Sequence, residues 1–132
     1  MARKTTFPEL VRVMHTLRKP GGCPWDAQQT HASLLKYLRE ESREVCDAVQ
    51  KEDWANLKEE LGDVLLQILF HSEIASERGV FDIQDVLATL KSKLIRRHPH
   101  VFGPKKNPQI SLSDLNAQWK RIKAKEKKGK TK

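Results

Sequence analysis

"KYLREESREVCDAV", residues 36–49, places a glutamate on the apolar side of a helix. At about 100° per residue, Leu34, Leu38, Val45, Ala48 and Val49 fall on one side, and Lys36, Arg39, Arg43 and Gln50 fall opposite. Glu41 lands between Ala48 and Leu34, Glu44 at the edge of that arc beside Tyr37, and Glu40 one step further out, nearer Asp47 and the solvent. Two carboxylates therefore point inward or nearly so, and an ordinary amphipathic helix gives no reason for that.

The next long segment, "LKEELGDVLLQILFHSEI" at 57–74, sharpens the problem. Its apolar residues go almost all the way round, which predicts a central, buried helix. Glu60 and Asp63, three apart, nevertheless share one face with Gln67 and His71. The intervening "KED" is short, so the two helices are expected to be antiparallel neighbours, a helical hairpin. Glu41 and Glu44 then face Glu60 and Asp63. Ionised carboxylates in such a place cost several kcal/mol each unless a cation or donor compensates them. Four converging oxygen donors match a hard divalent cation, Mg²⁺, better than zinc or iron. No ExxH pair occurs in the chain, so the ferritin-like di-iron pattern lacks its histidines. An EExxE alone is commonly a solvated face; its pairing with an ExxD on an apolar neighbour is what points to a metal.

The remaining segments also read as helical, with no alternating pattern of strands. Five helices are expected: Pro8 to Arg18 with Thr6 and Glu9 in capping-box spacing; His31 to Gln50 after Thr30; a third after Asp53, ending near Arg78 with Gly79 at C′; a fourth from Asp82 to Arg97; and a fifth capped by Ser113, with Leu115, Trp119 and Ile122 on one face. "KPGGCPWD" and "VFGPKKNP" read as loops. With 132 residues the chain is expected to form one all-α, four-helix-bundle-like domain over 1–125. Residues 126–132 read as a lysine-rich disordered tail that turnover should not need.

The formal charge of +8 is unevenly spread: from Gln118 onward there are eight Lys/Arg and one acid, Glu126, leaving seventeen bases and sixteen acids before it. A frayed terminus and a phosphate-attracting segment are both open readings of that run. The first twenty residues lack a signal-peptide pattern and no apolar run reaches membrane-spanning length, so a cytoplasmic protein is expected. Cys23 and Cys46 are too few for a disulfide framework. Phosphate-compatible groups recur at one-turn spacing: Lys93 with Arg97, and Trp119 with Lys123. Basic helix capping and core packing are the plain alternatives for these residues.

Taken together, "EESRE" at 40–44, "ELGD" at 60–63, "GCPWD" at 22–26, "KLIRRHPHVF" at 93–102 and the W-x-x-x-K of Trp119 and Lys123 resemble the MazG family of nucleoside triphosphate pyrophosphohydrolases. The resemblance covers about residues 9–125. It implies Mg²⁺-dependent hydrolysis of an NTP or dNTP to the monophosphate and pyrophosphate, with Mn²⁺ as a possible substitute. It also implies that Glu41, Glu44, Glu60 and Asp63 ligate metal, that Glu40 or Glu41 activates water, and that Lys93, Arg97, Trp119 and Lys123 bind substrate. Members work as homodimers or dimers of dimers. Many carry two tandem copies of this domain; this chain has one, most similar to the N-terminal copy. The competing readings are a non-catalytic, metal-stabilised assembly and a nucleic-acid-binding module using the basic end.

Overall fold

The structure, a computed structural model, describes residues 4–130, and its regular secondary structure there is entirely helical. It resolves into two compact units, one up to Ile83 and one from Gln84 onward. The first holds α1 (Phe7–Arg18), α2 (Pro24–Gln28), α3 (His31–Gln50) and α4 (Trp54–Glu77).

Side-chain caps set its helix starts. Thr6 accepts from the Glu9 amide at 3.4 Å, and Thr30 and Ser33 form a reciprocal capping box at the head of α3. Asp53 accepts from the Asn56 amide and opens α4. The link between α3 and α4 turns through Glu52, whose φ of 53° is a left-handed conformation that a non-glycine residue seldom takes. Gly79 follows α4 at φ 70°, the position that the sequence assigns to a C′ glycine. α3 and α4 pack along each other, as the short link requires.

The core of this unit is built from Met14 of α1, Leu34 and Ala48 of α3, and Leu69, Phe70, Ile74 and Ala75 of α4. Trp25 of α2 lies edge-on to Tyr37 and Phe70, with ring centroids at 5.8 and 6.4 Å. Arg18, its side chain 7% exposed, ties three helices together. Its Nε and Nη2 donate to the two Glu77 oxygens at 2.8 and 2.9 Å, and Nη1 donates to the carbonyls of Asp26 and Gln29. The bidentate pair raises the Arg18 pKa and lowers that of Glu77. Gly22 is needed for close approach: a β-carbon there would overlap the backbone carbonyls of Thr16 and Leu17.

The second unit contains most of α5 (Ile83–Arg97), then α6 (Pro99–Phe102) and α7 (Leu112–Lys130). The Trp119 indole N–H donates to the Arg97 carbonyl at 2.7 Å, and Gln118 Nε2 lies 3.1 Å from His100 Nδ1. These bonds fasten α7 to the end of α5 and to α6.

Four sequence expectations change. The described residues form seven helices, because Pro24 and Pro99 each open an extra short helix inside an expected loop, using proline's preset φ at N1. Ser111, not Ser113, caps α7: its Oγ accepts from the Asp114 amide at 3.1 Å. α7 continues to Lys130, so residues 126–130, read as disordered, are helical; lysines are good helix formers and their cations suit a helix C-terminus. Residues 131–132 of the expected tail lie outside the described residues. Lastly, α4 is buried only in part, since Leu61, Leu66 and Ile68 are 53%, 37% and 41% exposed.

Candidate metal centre

The facing arcs of α3 and α4 bring acids together. Oxygens of Glu41, Glu60 and Asp63 lie within 4.8 Å of one another, and all three residues are half-buried. Glu44, one turn after Glu41, is exposed but hydrogen-bonds to Glu60. Glu40 and Glu59 are exposed.

The electrostatics of this group are those of crowded anions. Glu60 is pushed up to about 8, first by its hydrogen bond to Glu44, then by burial and by Glu41. Burial is the main force raising Glu41, and the charges of Glu44 and Asp63 add to it. Without a cation, the cluster therefore holds protons near neutral pH. One oxygen each of Glu41 and Glu60 is buried with no hydrogen-bond partner, and a buried acceptor left so is costly.

That donor set suits a hard divalent cation: it is all-carboxylate, its oxygens converge, and two of its acceptors lack a partner. Glu41, Glu60 and Asp63 could hold the ion directly, with Glu44 beside them.

The other residues on that face of α4 were less legible. Gln67 is buried with its Oε1 unpartnered, as is His71 Nε2. His71 Nδ1 lies 2.7 Å from His31 Nδ1, the two rings stacked at 5.0 Å between centroids. Burial and the neighbouring His31 depress the His71 pKa. The helical wheel places His71 beside the acids but carries no sign of its pairing with a histidine forty positions earlier.

In the second unit, Arg97 and Trp119 of the expected substrate-binding set are brought together through the Arg97 carbonyl. Arg97 also donates to Glu126 Oε1 from Nε at 3.3 Å and Nη2 at 2.8 Å. Lys93 is half-buried and Lys123 exposed. The sequence does not single out Glu126, because lysines flank it on both sides.

Comparison with known proteins bears on these residues. Residues 29–102 match the MazG nucleotide pyrophosphohydrolase domain, a stretch that includes all four acids. The chain is 55% identical over 121 residues to the nucleoside triphosphate pyrophosphohydrolase/pyrophosphatase MazG of Thermotoga maritima, covering 92% of this chain and 45% of that protein. It is 44% identical over 119 residues to the nucleoside triphosphate pyrophosphohydrolase of Escherichia coli, covering 89% and 44%. The chain thus spans less than half the length of these two relatives. In fold it is similar to the crystal structure of a mazG-related protein from Thermotoga maritima, with a TM-score of 0.72, 33% identity, and coverage of 90% of this chain and 99% of that one.

The raised carboxyl pKa values fix a pH dependence. A folded state that binds protons more tightly than the unfolded chain loses stability as pH rises from the unfolded carboxyl range to the folded value. Metal-free protein is expected to melt at progressively lower temperature between about pH 4.5 and 8, following the elevated Glu60. Millimolar Mg²⁺ should raise the melting temperature most at the alkaline end. Thermal melts in EDTA and in Mg²⁺ across this range check both; curves that coincide at pH 8 would contradict the assignment.

Proposed function

The chain belongs to the MazG nucleotide pyrophosphohydrolase family, and from that premise we propose that it hydrolyses a nucleoside triphosphate to the monophosphate and pyrophosphate with Mg²⁺ as cofactor. The observation that carries this reading is the acid cluster, whose buried oxygens of Glu41 and Glu60 lack any hydrogen-bond donor. An acidic cluster whose only role was solubility would point its oxygens at water.

Glu41, Glu60 and Asp63, with Glu44 beside them, would hold a divalent cation, which would supply Lewis-acid polarisation of phosphate oxygens. The chain's own groups do the rest. Glu41 or the exposed Glu40 takes up the proton of the attacking water. Arg97, Lys93 and Lys123 neutralise phosphate charge, Arg97 through the Nη1 that its bonds to Glu126 leave over and the lysines as point charges. Trp119 offers an indole face to a base, and its N–H is spent on the Arg97 carbonyl, which fixes the ring.

The reading extends to assembly and place. Leu61, Leu66 and Ile68, exposed on the helix that bears Glu60 and Asp63, are covered by a second copy of the chain in a homodimer or dimer of dimers. Among the described residues no helix is long and apolar enough to cross a membrane, and the free thiols of Cys23 and Cys46 suit the reducing cytoplasm.

Pyrophosphate release from a panel of canonical and modified NTPs and dNTPs tests the activity. Mg²⁺-dependent turnover is expected, and Glu41→Gln should lower it by more than the roughly 10–100-fold typical of residues one step removed from a metal, with an unchanged circular dichroism spectrum. Equal turnover by both forms, or none by either, would reject the reading. Sedimentation should give at least twice the 15.2 kDa chain mass, reduced by Ile68→Glu; a wild-type monomer would refute the assembly.

A further inference from the structure

The one acid in the basic end of the chain is not part of a solvated run. Glu126 has a side chain only 12% exposed, and it accepts from two adjacent guanidinium groups: Arg96 through Nε, and Arg97 through Nε and Nη2. These contacts hold the carboxyl down at about 2, the Arg97 hydrogen bond contributing most. Consecutive helical residues point about 100° apart, and two guanidinium cations repel. Both nevertheless converge on one carboxylate.

We infer that Glu126 is a positioning residue: its carboxylate draws Arg96 and Arg97 together and fixes the Arg97 guanidinium to receive the anionic oxygens of the substrate's phosphate chain. The inference rests on the role proposed above for Arg97 and adds the group that sets it.

Three features of the second unit support it. Arg97 is held at both ends, its carbonyl by the Trp119 indole at 2.7 Å and its guanidinium by Glu126, so a side chain with many rotamers is left with few. Its bonds to Glu126 use Nε and Nη2 and leave Nη1 for a phosphate oxygen. Finally, the charge does not cancel. A single arginine paired with Glu126 would be neutral toward phosphate, whereas two arginines on one carboxylate keep a net positive charge, and Arg96, 49% exposed, keeps it at the surface.

The alternative, that Glu126 merely fastens α7 to α5, predicts a loss of stability without a change in substrate affinity. A charge-only view predicts the opposite sign, because removing an anion should tighten phosphate binding.

The test compares wild type with Glu126→Gln and Glu126→Asp as full chains. It reads KM and kcat for pyrophosphate release from the best nucleoside triphosphate, and calorimetric affinity for inorganic tripolyphosphate. Glu126→Gln should raise KM and weaken tripolyphosphate binding by about tenfold, with kcat within about twofold. Glu126→Asp, which keeps the charge one methylene further back, should recover part of the loss. If Glu126→Gln melts below assay temperature, all three proteins are compared at a lower temperature where it is folded, with the same shift expected. An unchanged or lower KM, or unchanged or tighter tripolyphosphate binding, overturns the inference. Wild type that releases no pyrophosphate from any nucleotide rejects the enzyme reading instead, and the tripolyphosphate comparison still decides the role of Glu126.

Discussion

The structure turns on one electrostatic conflict: carboxylates of Glu41, Glu60 and Asp63 meet between two packed helices, with Glu44 bonded to the same group. Like charges at such distances cannot all remain ionised without compensation. The molecule has two states that relieve the conflict. It can hold protons, as the elevated Glu60 and Glu41 indicate, or it can hold a cation that takes the unpartnered oxygens as ligands. The two states compete, since binding a metal requires its ligands to give up their protons.

What surrounds the cluster serves to keep it there. The capping box at Thr30 and Ser33 and the Asp53 cap fix where α3 and α4 begin. The left-handed Glu52 returns the chain within a three-residue link, which sets the register that puts Glu41 against Glu60 and Asp63. Below, Leu34, Leu69 and Phe70 bury apolar surface, and Arg18 locks α1 and α2 onto the far end of α4. Removing apolar packing of that kind costs about 2–5 kcal/mol per large side chain, a large part of a domain's net stability.

Much of this could be read from the residues. The hairpin bounds follow from local signals, namely Thr30, Asp53 and Gly79, and the inward placement of Glu41 follows from the 3.6-residue period. The acids at 60 and 63 were legible for the same reason. What stayed hidden depends on contacts between distant positions. The pairing of His31 with His71 has no sequence signature, and the Arg18 bonds to Glu77, Asp26 and Gln29 have none either. The exposure of Leu61 and Ile68 shows the limit of a helical wheel, which ranks apolarity but not what covers it. Glu126 did leave a trace: it continues the face of Leu115, Trp119 and Ile122 at i+11. The lysines around it masked that trace.

The most direct measurement is a crystal grown with Mn²⁺ and recorded for anomalous scattering. An anomalous peak is expected about 2 Å from the carboxylate oxygens of Glu41, Glu60 and Asp63, and it should vanish in Glu41→Gln. A crystal grown in excess Mn²⁺ with no peak between α3 and α4, or with the ion bound to other residues, would contradict the claim that a metal resolves the buried charge.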